Sequence, residues 1–328
     1  MKNISFIICL LLSLPVFSQT LPANRYYAKK DVLSISNETA SFGYSLRKLR
    51  NTYTGFAIEI RRSTDNATAN VSFDATGIVS TTSNITITAI GTSSFKIGDN
   101  TTLGTFSSGI IYVIKWYDQG TLTYNATQTN TNCQPQLQLN IASPTKLVPA
   151  IFFEGNANAA LTDYLIINQP IENIVNKGIN GTFLLSIKPT TNTNQNSFGA
   201  WLPGGWRWSF HINWSDGNVY FDSAEACCAT NRSYFNNNVG DLNTFKQYSF
   251  VRGTTYKTAR RNTTTTALNN SPQVSTSNTG GNFYLGWTFG AHAPGFYGHI
   301  NEVIMFKNDL SSGELLLIEQ NQMEYWGL

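Results

Sequence analysis

The chain has 328 residues, with 22 Lys and Arg against 19 Asp and Glu and a formal net charge of +3. A charge so small and dispersed leaves no electrostatic footprint for nucleic acid. Only 12% of residues are charged, and Thr, Asn, Ser and Gly fill the polar positions, as in secreted β proteins with hydroxyl- and amide-rich faces. Aromatics reach 13%, with seven Trp, enough for a large core and for rings that stack on sugars.

Lys2 opens a short positive segment, and an apolar run follows from Ile4 to Phe17. Val16-Phe17-Ser18 places a small residue before Gln19, so residues 1–18 read as a secretory signal peptide, too short to span a membrane. No later apolar run is long enough to span, so the mature chain, 19–328, is expected to be one soluble domain that is secreted, at the cell surface, or in a periplasm. Cys9 leaves with the leader. Cys133, Cys227 and Cys228 remain, without the spacing of a zinc site. Either Cys133 pairs with one of the two neighbours, or Cys227 and Cys228 bridge each other.

Phe42, Leu46, Leu49 and Tyr53 keep a helical spacing, and with Asn37 as cap and Gly55 as stop they predict a helix over Glu38 to Tyr53. The period then becomes two. Phe56, Ile58 and Ile60 alternate with Ala57, Glu59 and Arg61, and Ala67, Ala69, Val71 and Phe73 repeat the pattern. Ile110 to Trp116, Val148 to Phe153 and Phe183 to Ile187 are further strand candidates. Trp206, Trp208, Phe210, Ile212 and Trp214 form the cleanest alternation, opposite Arg207, Ser209, His211 and Asn213. Asp216-Gly217 is a hairpin signal leading into Val219-Tyr220-Phe221. Tyr248 to Val251, Phe283 to Phe289 and Ile300 to Phe306 complete the strands, while 190–198 and 262–282 read as long loops. Ser311 and Glu314 make a capping box for a final helix. Strands with one helix near each end predict an all-β sandwich.

Two groups of segments carry a family likeness. Tyr44 to Arg50, Tyr53-Thr54-Gly55 and Ile60 to Asn66 form one; Lys115-Trp116-Tyr117-Asp118-Gln119-Gly120 and Asn125 to Gln128 form the other. They resemble the N-terminal half of the catalytic domain of the α-L-arabinofuranosidase B family, glycoside hydrolase family 54. Gly298 to Gly327 is similar to the closing strand and helix of that family and of laminin G-like modules. The resemblance implies a concanavalin A-like sandwich, of jelly-roll type, and a glycan or polysaccharide as partner. Asp118, at the end of its strand, fits a turn-fixing carboxylate, with a Ca²⁺ ligand as the alternative.

Hydrolysis with retention needs two carboxyl groups about 5–5.5 Å apart. In the resembled family the nucleophile is a Glu after an apolar strand, and Asp216 stands closest to that position. The family's acid is an Asp in a glycine-rich loop. The matching stretch here, Leu285 to Gly295, has no carboxylate, and no Asp or Glu occurs between Leu242 and Asn301. His292 is the only substitute acid there. The family also packs a Cys-Cys pair on the sugar, which Cys227-Cys228 resembles, although here the pair follows Asp216 instead of preceding the nucleophile. Asp222 and Glu225 are candidates for a local acidic site that takes Ca²⁺ or sugar hydroxyls. No Gly-x-Ser-x-Gly, His-Glu-x-x-His or phosphate loop occurs. A carbohydrate site is therefore expected from Trp201, Trp214, Asp222, Glu225, Cys227, Cys228, Arg232, Trp287 and His292, with Trp201 and Trp287 as exposed rings. Trp206, Trp208 and Trp214 share one parity and should be core or site together. The resulting expectation is a lectin-like protein lacking the catalytic acid. The alternatives are an arabinofuranosidase and a structural or adhesive cell-surface domain.

Overall fold

The computed structural model describes residues 31–191, 197–202, 205–226, 232–237, 242–270, 272, 279–288 and 294–328. It is an all-β sandwich in which the paired strands are antiparallel. One sheet runs from edge strand Thr264–Asn269 through Lys257–Arg261, Lys246–Arg252 and Gly181–Pro189 to Gly298–Phe306. On its far side, Gly298–Phe306 pairs first with Leu147–Phe153 and then with Ala40–Ser45. The other sheet runs from Ser233–Asn236 through Asn218–Ala226, Trp206–His211, Phe198–Trp201, Asn282–Leu285 and Leu165–Pro170. It continues through Ala126–Thr127, Ile111–Trp116, Ile58–Arg62, Thr68–Val71 and Asn84–Ala89 to Asn100–Thr102. Gln136–Ala142 joins the two sheets by pairing with both Ile111–Trp116 and Leu147–Phe153.

The inward positions meet in one apolar cluster that collects residues from Phe42 to Trp326. A second cluster lies between the first sheet and the C-terminal helix Ser312–Trp326, where Leu184, Val251 and Ile304 meet Leu315 and Ile318. Gly298–Phe306 is therefore buried on both faces along its whole length. The capping box forms as expected, with Glu314 N–H donating to Ser311 and Ser311 N–H donating to Glu314. No helix among the described residues is long and apolar enough to cross a membrane.

Three expectations need correction. Residues 38–53 do not form a helix: Ala40–Ser45 is a buried strand paired with Gly298–Phe306, and only a 3-10 turn, Val32–Ser34, precedes it. Phe42, Tyr44 and Leu46 also fit a period of two, and the central strand satisfies their backbone groups at that spacing. Gly43 weakens the helical alternative. The stretch 262–282 is not all loop, because Thr264–Asn269 hairpins onto Lys257–Arg261. Finally, Cys133 is a free, buried thiol that donates to Ala160 O at 3.2 Å, so it is not half of a bridge. Cys227 and Cys228 lie outside the described residues, as do the leader and His292.

Candidate functional site

The strands Trp206–His211 and Asn218–Ala226 form the expected hairpin, with Gly217 at φ 80° in its turn. Only a residue tolerant of positive φ closes such a turn without strain. On the inner side Phe210 stacks on Phe183 at 4.6 Å and on Phe221 at 5.2 Å. Trp208 is fully buried and donates from Nε1 to Ile179 O at 3.0 Å. Trp206 is half-buried against the same core. The three Trp nonetheless part company. Trp214 lies beyond the strand's last residue, where the chain has left the alternating geometry, and its half-buried ring meets His211 edge-on at 5.0 Å.

The register sets Arg207 opposite Glu225, Ser209 opposite Asp222 and His211 opposite Tyr220. Asp222 is fully buried. Arg232 Nε lies 2.8 Å from Oδ1, while Arg207 Nε and His211 Nε2 lie 3.1 and 3.8 Å from Oδ2. The two guanidinium contacts are close ion pairs. Burial pushes the Asp222 carboxyl up, but His211 and the charges of Arg232 and Arg207 outweigh it and hold the group below the usual Asp range. The same burial lowers His211 despite Asp222, which favours the neutral imidazole. Arg207 in turn lies 4.9 Å over the Trp201 ring, leaving Trp201 half-buried.

Glu225 is also fully buried and ion-paired with Lys257. Burial raises its carboxyl above the usual Glu range, and Lys257 offsets only part of this. Lys257 also donates to Phe221 O at 3.3 Å. Both carboxylates are thus ion-paired within the fold, Asp222 with Arg207 and Arg232 and Glu225 with Lys257, on the strand that carries Tyr220.

Outside this buried layer, Tyr220 and Tyr234 stand directly across from each other with ring centroids 5.5 Å apart. Tyr234 is 58% exposed, and the Arg232 guanidinium lies 3.9 Å over the Tyr220 ring. Asp216 is an exposed turn residue. Its carboxylate accepts Tyr220 O–H at 2.5 Å, and Asn218 N–H and side-chain amide at 2.9 Å each. Slight burial raises its carboxyl, and these hydrogen bonds more than reverse that. Asn236 donates to Asn218 Oδ1 at 3.4 Å. The result is a surface with two flat rings, one guanidinium, and carboxylate and amide groups at its border.

Of the expected residues, the fold gathers Trp201, Trp214, Asp216, Asp222, Glu225 and Arg232 around this hairpin. Trp287 is elsewhere and only 8% exposed, because its ring packs against Tyr164 at 5.4 Å, so it is not the exposed ring that its loop position implied. Asp118 accepts Gly43 N–H and Gly120 N–H on Oδ1 and Tyr124 N–H on Oδ2, at 2.7–3.0 Å. That is the turn-fixing role. No group of three or more His, Cys, Asp and Glu among the described residues could hold a metal ion. Sequence reasoning did not single out Tyr220, Tyr234 or Lys257. Tyr220 was visible as the outward member of Val219-Tyr220-Phe221. Lys257 carried no local signal.

No family model matches the chain, and no curated protein matches it. Solved structures do. An arabinofuranosidase complexed with arabinofuranosyl-α-1,2-xylobiose superposes with a TM-score of 0.62 and 12% identity, over 90% of this chain and 64% of that one. A family 54 α-L-arabinofuranosidase soaked with a cyclic sulfate inhibitor gives 0.61 and 12%, over 90% and 65%. At such identity the likeness establishes the fold, which is the one the resembled segments implied. This chain spans 64–65% of the length of those enzymes.

Proposed function

We propose that the protein is a secreted, lectin-like glycan-binding protein. The observation that carries the reading is the Tyr220–Tyr234 pair, held rigid from below and bordered by Arg232, Asp216, Asn218 and Asn236. Sugar rings offer C–H patches to aromatic faces and hydroxyls to planar polar groups, and this surface presents both. Tyrosine brings large contact area at low entropic cost. The ion pairs of Asp222 and Glu225 pre-organise the surface, so little ordering remains to be done on binding. Secretion rests on the apolar Ile4 to Phe17 run and the small residue at Ser18.

A second reading, glycoside hydrolysis of the α-L-arabinofuranosidase type, is supported by the shared fold. Against it stand the exposed, turn-bound Asp216 and the absence of any Asp or Glu between Leu242 and Asn301. A glycan array probed with the labelled protein, run beside 4-nitrophenyl α-L-arabinofuranoside turnover, separates the two. Array hits without turnover are expected. Turnover abolished by Asp216→Asn would establish the hydrolase reading instead, and no hits with no turnover would leave a structural or adhesive role.

A further inference from the structure

A polar cavity of about 320 Å³ lies far along the chain from the Tyr220–Tyr234 surface, lined by residues that include Tyr112, Gln134, Gln136, Glu154, Asn156 and Asp163. Its size is at the lower end for small-molecule sites. Tyr112 and Gln136 are cross-strand partners, so the phenol ring and the amide share one wall. Arg61 fixes that wall, with its guanidinium 4.5 Å over the Tyr112 ring and its Nε–H donating to Gln134 Oε1 at 2.8 Å. Gln134 is buried and donates to Gln128 O at 3.1 Å.

The lining also carries two carboxyl groups, Glu154 and Asp163. Asp163 is 6% exposed and accepts Glu154 N–H on Oδ2 at 2.8 Å. Its carboxyl lines the cavity. Burial raises Asp163 to about 7, the Glu154 N–H works against this and the Glu154 carboxylate adds to it. Burial thus favours the form of Asp163 that can donate an O–H, with the exposed Glu154 carboxyl beside it.

From this cavity we infer that the protein has a second ligand site, which takes one neutral sugar residue. Alternating donors and acceptors from Asp163, Glu154, Gln136 and Asn156 match the hydroxyls of a polyol ring. Tyr112 supplies apolar contact. A divalent cation fits the wall less well, because burial favours the neutral form of Asp163 and Arg61 stands beside the wall.

The test is a ¹H–¹⁵N NMR titration of the protein with the methyl glycosides of D-xylose, L-arabinose, D-glucose and D-galactose, and separately with CaCl₂. At least one glycoside is expected to shift the amides of Tyr112, Gln136, Glu154 and Asp163. Those shifts should persist in Tyr234→Ala, which alters the other surface only, and affinity should fall about tenfold in Glu154→Ala. Glu154 is exposed, so this substitution leaves the fold intact. The inference is overturned if no glycoside shifts these amides, if only CaCl₂ does, or if Glu154→Ala binds as well as the parent. Because Tyr234→Ala is in the set, failure here is distinguishable from failure of the Tyr220–Tyr234 surface.

Discussion

Removing Arg47 should destabilise the protein severely, through a charge left behind in the core. Glu302 lies in the central strand and is fully buried. Arg47 meets it with two contacts, Nε to Oε2 at 2.6 Å and Nη2 to Oε1 at 2.9 Å, and Nη2 also donates to Asn321 Oδ1 at 2.7 Å. Ser45 Oγ–H and Trp326 Nε1–H donate to Oε2 at 3.0 and 2.9 Å. One buried carboxylate thus ties the first strand, the central strand and the C-terminal helix together. In Arg47→Met, Glu302 keeps only the two neutral donors, and an uncompensated buried charge costs about 3–5 kcal/mol. That is a large share of the roughly 5–15 kcal/mol that holds a domain folded. In Arg47→Met/Glu302→Leu the orphaned charge is gone, while Trp326 Nε1 and Asn321 lose partners at about 1–3 kcal/mol each. The double variant should therefore be less destabilised than the sum of the singles. Urea unfolding followed by Trp fluorescence measures all four proteins. A loss below about 1 kcal/mol in Arg47→Met, or strict additivity in the double variant, would refute the reasoning.

The remaining predictions concern other buried charges. Lys257→Met leaves Glu225 buried without its cation and should cost about 3–5 kcal/mol by the same assay. Lys257→Met/Glu225→Gln should recover part of that loss. Asp163 has a raised pKa when folded, so its stabilising preference for the neutral form is complete below about pH 3.8 and is lost as pH rises through about 7. The rise from 3.8 to about 7 corresponds to at most roughly 4 kcal/mol. Asp163→Asn keeps an acceptor for Glu154 N–H without titrating. Its stability relative to the parent should therefore improve between pH 4.5 and 7.5, and parallel pH profiles for the two proteins would contradict the assignment.

Much of the fold was legible because one face of most strands is buried. Ile58 and Ile60 alternate with Glu59 and Arg61, and the burial follows the same alternation. Ser311 and Glu314 fix a helix start by chemistry local to four residues. The misread N-terminal helix shows where local pattern runs out. Phe42 and Leu46 serve a helix or a strand equally, and the choice is made by Val303 and Met305, far away in sequence. Thr264–Asn269 went unseen because an exposed edge strand buries too little for a period to show. At the site, Trp214, Asp216, Asp222 and Arg232 were visible as residue types suited to sugars. That Asp222 would be sealed by Arg207 and Arg232 depends on strand register and on a third strand, neither of which is written in a local motif. Trp287 looked exposed from its loop position, but Tyr164 covers it from another strand's end.

The central claim, that the Tyr220–Tyr234 surface binds glycan, is tested most directly by calorimetry of the best array ligand against the parent and Tyr234→Ala. Tyr234 is 58% exposed, so its truncation should leave the unfolding midpoint unchanged. Affinity should fall about tenfold, roughly 1.4 kcal/mol, in that variant. Equal affinity in the two proteins would contradict it.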